Sequence, residues 1–269
     1  MEIQEKIHLK LRNQYNPEGS VLRKAQYRML EILKFIDTIC KENNLTYWLE
    51  GGTLLGAARH DGFIPWDDDT DIAMPRKDLL KLRKIMKNYG DDNYILQNNA
   101  SDCKFFCSWD VMRDLKSTYL QDSKIHNMRK FKGLQVDIFP RSIGLNKKLW
   151  GWSNTMQIKY IDKLLVSKKN IVWVRFNYFL FNSFLKPLFR MLSIVSGNKN
   201  DISMDFGCYF NQDHKVVNVY PLRKIIFEGY LFNAPNNVDA YLTETYGNWR
   251  DIPDSNEIHT HNVEILFEE

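Results

Sequence analysis

Four acids crowd into the five positions Asp67-Asp68-Asp69-Thr70-Asp71, between Trp66 and the apolar triplet Ile72-Ala73-Met74. A solvated acidic loop has no need of that apolar bracket; a cation site on a strand does. Side chains alternate along an extended chain, so Asp67, Asp69 and Asp71 share one face while Asp68 and Thr70 point away. Asp69 and Asp71 then stand side by side with Cα atoms about 7 Å apart. Two such carboxylates repel unless a cation lies between them. Oxygen-only ligands select a hard ion, Mg²⁺ or Mn²⁺, which completes its shell with water and substrate phosphates. Taken alone, the run also fits a calcium-like surface loop, or a cap for the helix that opens near Arg76.

Just upstream, Gly51-Gly52-Thr53 follows a β-type run, residues 46–49, and opens a short helical piece. Glycine lets backbone amides approach an anion closely, and a threonine hydroxyl at a helix start caps the helix or meets phosphate. A Gly-Gly pair by itself is an ordinary turn. A strand, Gly-Gly-Thr, a short helix and a second strand bearing Asp-x-Asp is far more specific. That order resembles the nucleotidyltransferase superfold. Within it, GGTLLGAARHDGFIPWDDDTDIAM resembles the LicD family of phosphocholine transferases, related to the fukutin-type proteins. The similarity is dense over residues 47–74 and thinner towards the C-terminus.

The resemblance implies an α/β (α+β) fold, a mixed sheet flanked by helices, and a third carboxylate on a neighbouring strand. The family reads apolar-Asp-Ile-Phe-Pro there, and Asp137 in Gly133-Leu-Gln-Val-Asp-Ile-Phe-Pro140 matches. A lone buried acid is costly unless paired or metal-bound; a backbone turn, Lys132 or Arg141 would also satisfy it. Where the family often continues Leu-Asp, Arg141 and Ser142 stand, a departure that bears on the acceptor side. On this reading Asp69, Asp71 and Asp137 are catalytic and bind two divalent cations, and Gly51, Gly52 and Thr53 hold a diphosphate. Arg59, Arg76 and Arg113 are expected to meet substrate. Arg76 would do so at a helix start whose dipole favours anions. Arg113 would use its fixed fork of donors, or else pair with Asp110 or Asp114 at the surface.

Composition is consistent with this. The chain has 269 residues, 44% hydrophobic, enough for one domain or one domain with an insertion. A net charge of +4 suits anionic substrates or a membrane surface and is too weak to argue for nucleic acid. Cys40, Cys103, Cys107 and Cys208 form no Cys-x-x-Cys pair, and Cys103 and Cys107 read as reduced core residues. The charged N-terminus carries no signal-peptide pattern, so the expected location is the cytoplasm or the inner face of the cell membrane.

The elements that must position these residues follow from periodicity. After a polar lead-in, residues 21–43 repeat apolar positions at helical spacing, and a second helix runs from Arg76 to near Gly90. β-type runs follow at 94–97, 105–113 and 117–120. Residues 149–166 and 171–195 read as a helical insertion. Its aromatic second segment holds too many polar residues to span a bilayer, and suits either a buried helix pair or a helix lying on a membrane. Further on come a short strand at 216–219, a hairpin around Glu228-Gly229 and a helix at 236–246. The closing Tyr-Leu…Tyr-Gly…Pro pattern resembles the family's, with His259 and His261 beyond it and no catalytic role expected of them. The expected division is a catalytic core over 1–145, an insertion over 146–205 and a C-terminal part over 206–269.

The resemblance implies CDP-choline as donor, CMP as product and a glycan acceptor, a teichoic-acid or lipopolysaccharide precursor that is often lipid-linked. Choline calls for an aromatic cage, for which Tyr47, Trp48, Phe63, Trp66 and Trp109 lie near the motifs. The alternatives are transfer of another group such as ribitol phosphate, nucleotidyl transfer with release of pyrophosphate, and a non-catalytic scaffold.

Overall fold

The computed structural model describes residues 2–120, 123–167, 171–209, 212–253 and 264–267. The lead-in is itself helical: α1 (Glu2–Tyr15) is held where Tyr15 meets Trp66 edge-on (5.4 Å) and Arg12 donates to the His60 carbonyl (3.4 Å). Ser20 Oγ accepts from the Arg23 amide and starts α2 (Val21–Glu42). Ala25, Met29, Ile32, Leu33, Ile36 and Ile39 repeat at helical spacing, and all are buried in the core.

Next come β1 (Trp48–Leu49), α3 (Gly51–His60), β2 (Asp71–Pro75), α4 (Arg76–Tyr89), β3 (Tyr94–Gln97), β4 (Asp110–Asp114), β5 (Ser117–Leu120), α5 (Lys124–Met128) and β6 (Gln135–Ile143). The main sheet has the order β1-β2-β6-β4-β3. The β2–β6 pair is parallel and its neighbours are antiparallel, so the sheet is mixed as expected. Gly90, at φ +61°, closes α4 in the left-handed conformation. The run at 105–113 is strand only from Asp110. Before that, Phe106 leaves the sheet to pack with Ile161, Leu165, Val174 and Phe181 of the insertion. Cys103 is exposed rather than in the core, because its segment is a turn and not a strand.

The insertion forms α6 (Lys147–Gln157), a π-turn at Ile158–Asp162, α7 (Lys163–Val166), α8 (Ile171–Leu180), a second π-turn at Phe181–Leu185 and α9 (Lys186–Ser196). A buried helix pair is not what it makes. Val174, Phe181 and Phe189 turn inward, while Trp173, Phe176, Phe179 and Phe184 remain exposed, because the core offers only one side to pack against. Among the described residues no helix is long and apolar enough to cross a membrane. The chain rejoins the sheet with β7 (Asp201–Met204), which pairs with the outer part of β6, and β8 (Asp213–Lys215).

Residues 216–219, expected as a strand, form the short helix α10 (Val216–Val219). Helical spacing lets Val219 enter the core with Val216 packed beside it while Val217 stays in solvent, so tertiary packing overrides β-branched propensity. The hairpin β9 (Arg223–Phe227) and β10 (Tyr230–Ala234) turns at Glu228-Gly229, both at positive φ as a primed turn requires. Then α11 (Val238–Tyr246) follows, and β11 (Glu264–Phe267) pairs with β5.

Candidate active site

Asp71 opens β2 and Asp137 lies in β6, and the parallel register sets them directly opposite each other. The Asp137 amide donates to the Thr70 carbonyl (2.8 Å), locking that register. Paired residues on adjacent strands share a face, about 4.8 Å apart along the hydrogen-bond direction. Asp69, Asp71 and Asp137 line one cavity of about 210 Å³ together with Glu50, Gly51, Phe139, Met204, Gln212 and Tyr246. The alternation along the acidic run is present. Asp68 turns into the core and accepts from the Tyr119 hydroxyl (2.9 Å), and Thr70 donates to Met29 Sδ (3.6 Å).

The two glycines make the corner. Gly51 has φ +53°, and a Cβ there would sit 2.9 Å from Asp71 Oδ2. A Cβ on Gly52 would sit 2.9 Å from Asp67 Oδ2. A larger residue at either position would therefore displace a carboxylate. Thr53 differs from expectation. Its buried hydroxyl accepts from the Asp71 amide (2.8 Å), so it fixes the start of β2 and does not line the cavity.

None of the three arginines expected at the substrate lines the acidic cavity. Arg59 donates to the carbonyls of Trp249 (3.1 Å) and Asp251 (2.8 Å), tying down the C-terminal part. Arg113 is fully buried and donates to Gln97 Oε1 (2.9 Å) and the Gly133 carbonyl (2.8 Å). It is neither a phosphate fork nor a surface ion pair, and it stands as a positive charge near Asp137. Arg76 opens α4 at the far end of β2, because the strand runs away from Asp71. Its Nε lies 3.4 Å from Asp205 Oδ2, and it faces a different groove.

Most of the aromatic candidates are structural. Tyr47 donates to Asp37 (2.6 Å), Trp48 to the Tyr241 hydroxyl (3.3 Å), Phe63 packs on Phe227 and Trp66 on Tyr15. Trp109 alone among the five is next to the cavity, 5.6 Å from the Phe139 ring. His259 and His261 lie outside the described residues.

Electrostatics mark the site. Burial first, then the charges of Asp69, Asp137, Asp67 and Glu50, hold the Asp71 carboxyl well above the usual carboxylate range. Burial and then Asp69 do the same to Asp67. Burial pushes Asp137 up to about 6, with Arg113 opposing and Asp69 adding to it. Asp137 Oδ2 accepts from Gln135 (3.1 Å) and the Trp109 side chain also reaches this carboxyl, while Oδ1 makes no hydrogen bond of good geometry among the described residues. Among the described residues no three His, Cys, Asp or Glu side chains are gathered closely enough to hold a metal ion as they stand; Asp67 and Asp69 hydrogen-bond to each other instead. The donor chemistry, all oxygen and mutually repelling, is the kind a hard divalent cation takes, although the side chains do not converge on one point here.

Sequence reasoning missed Glu50 and its partners. Glu50 pairs with the buried Arg141 (3.0 Å) and accepts from Tyr241 (2.7 Å), so Arg141 serves the site from within the core. Arg141 also donates to Tyr241 (3.2 Å) and the Gln212 carbonyl (2.5 Å). The available signals were the acid immediately before Gly-Gly and the tyrosines of the C-terminal pattern, Tyr241 and Tyr246.

A mixed sheet that presents an acidic corner beside a glycine turn is the arrangement of a nucleotidyltransferase-type fold. A sequence profile of the LicD/FKTN/FKRP nucleotidyltransferase domain matches residues 44–237. The chain belongs to this family, and its enzyme class is phosphotransferase. It is 24% identical to the lipopolysaccharide cholinephosphotransferase LicD of Haemophilus influenzae over 263 residues, 91% of this chain and 97% of that protein. It is 28% identical to an uncharacterized protein of Rickettsia prowazekii over 48% of this chain and 56% of that one. A 49-residue stretch, 18% of this chain and 10% of the relative, is 43% identical to the human ribitol 5-phosphate transferase FKRP.

Proposed function

We propose that the protein transfers phosphocholine from CDP-choline to a hydroxyl of a cell-surface glycan precursor, of the lipopolysaccharide or teichoic-acid kind, and releases CMP. The observation that carries this is the meeting of Asp69, Asp71 and Asp137 in one cavity, read with the similarity to a cholinephosphotransferase along nearly the whole of both chains. Mg²⁺ or Mn²⁺ held by these three aspartates would offset charge on the diphosphate and on the attacking oxygen.

The chain's own groups supply the rest. The Gly51-Gly52 corner at the start of α3 brings backbone amides to the diphosphate. Asp137, or a water that it holds, takes the proton of the acceptor hydroxyl. Phe139 and Tyr246 line the cavity and Trp109 backs Phe139, an aromatic wall for a quaternary ammonium.

Purified protein with CDP-choline, Mg²⁺ and a glycan acceptor should release CMP, dependent on the cation and on Asp71. CMP release from CDP-ribitol but not from CDP-choline would favour the second reading, a ribitol phosphate donor, which the short match to FKRP supports. Tight glycan binding with no turnover of either donor would favour a scaffold.

A further inference from the structure

The helical insertion differs from the rest of the chain in charge. Residues 146–200 hold ten lysines and arginines against one acid, Asp162, a net +9 in a chain whose total is +4, which leaves −5 for the remainder. It differs in surface as well. Over residues 171–196 the inner side chains Val174, Phe181 and Phe189 are buried. The outward side presents Trp173 (61% exposed), Phe176, Phe179, Phe184 (59%), Leu188 and Val195 (87%). Arg175 is the only exposed charge along it. A contiguous apolar face of this extent on a water-soluble surface marks an interaction site.

The charge decides between occupants. Apposing two copies of the insertion would bring two segments of like net charge together, which an isologous dimer must offset. An anionic bilayer complements both properties: aromatic and aliphatic side chains enter the headgroup–acyl boundary, Arg175 stands among them, and the net positive charge of the insertion favours an anionic surface. A groove of about 770 Å³ continues the pattern. It is rimmed by Arg76 and Arg190, which share the single carboxylate of Asp205 (3.4 and 2.6 Å), and by Lys77 and Lys199, an excess of positive charge, and Ile194 of the exposed face lines its edge.

We propose that the outer face of α8 and α9 seats the protein on an anionic phospholipid surface, with the Arg76–Arg190 groove taking a headgroup phosphate. The proposal does not depend on which donor the acidic site uses.

The test is co-sedimentation of the full chain with vesicles of phosphatidylcholine alone and with about one-third phosphatidylglycerol. Binding to the anionic vesicles should be at least ~10-fold tighter, and should weaken several-fold between about 0.1 and 0.5 M salt. The Phe176→Ser/Phe179→Ser variant should lose at least ~10-fold of that binding while keeping the wild-type Tm, since both side chains are solvent-exposed. The emission that is lost on Trp173→Phe should shift to the blue on anionic vesicles only. Equal binding to both vesicle types, no binding to either, or a dimer in sedimentation velocity that the double variant dissolves would each overturn the proposal.

Discussion

Asp71 and Asp137 face each other across the parallel pairing of β2 and β6, and both carboxyls are held above their ordinary range, chiefly by burial. An acid whose folded pKa is raised binds more protons folded than unfolded, so stability falls as pH rises between the two values. For Asp137 that window runs from 3.8 to about 6. His60, His126 and His214 work the other way. Burial pushes them down to about 3, 4 and 2, so their contribution is lost as pH drops below 6.5. The comparison that isolates the acid is therefore Asp137→Asn minus wild type without metal. The Tm gap should be larger at pH 7 than at pH 4.5; a gap independent of pH would contradict the raised carboxyl.

Divalent cation should show the complementary behaviour. Mg²⁺ or Mn²⁺ should raise the wild-type Tm more at pH 7 than at pH 4.5, because protons compete for the same oxygens. In Asp71→Asn and Asp137→Asn the cation effect should shrink and turnover should fall at least ~1000-fold. Thermal melts and CMP release check both. Wild-type turnover in either variant would remove the cation from the reaction.

At the glycine corner, Gly52→Ala places a methyl against the free end of the Asp67 side chain, which can swing away. Its stability should stay within ~1 kcal/mol of wild type while activity falls about 10–100-fold, because the carboxylates must move. Gly51→Ala adds the left-handed backbone penalty, so it should cost a further ~1 kcal/mol. Denaturant melts read beside initial rates separate the two effects.

The buried Glu50–Arg141 pair gives a sharper stability test. Arg141→Met leaves an uncompensated carboxylate in the core and should cost about 3–5 kcal/mol. Adding Glu50→Gln should return at least half of that in urea unfolding. Additive losses would show that the two groups do not act as a pair.

Much of this site was legible because short-range patterns report short-range geometry. The Asp-x-Asp alternation, the Gly-Gly corner, the turn at Glu228-Gly229 and the cap at Ser20 each depend on neighbours in sequence. Asp137 was legible as an acid in an apolar strand, though its register with Asp71 was not. Thr53, Arg59 and Arg113 lie off the acidic cavity for a common reason. Their partners are the Asp71 amide and the carbonyls of Trp249, Asp251 and Gly133, and backbone groups at a distance leave no mark in a residue pattern. Arg76 was misplaced because a helix start next to a strand in sequence lies at the strand's far end in space. The sequence left the insertion open between a buried pair and a helix with an outward apolar side, because an apolar helix reads alike whether one side or all sides are covered.

The acidic corner is complete once β6 has docked on β2, yet Tyr241, Tyr246 and the carbonyls gripped by Arg59 belong to the last stretch of the described chain. Ribosomes deliver the N-terminal end first. A nascent chain therefore carries its acidic corner uncovered, and Glu50 gains its tyrosine partner only after α11 emerges.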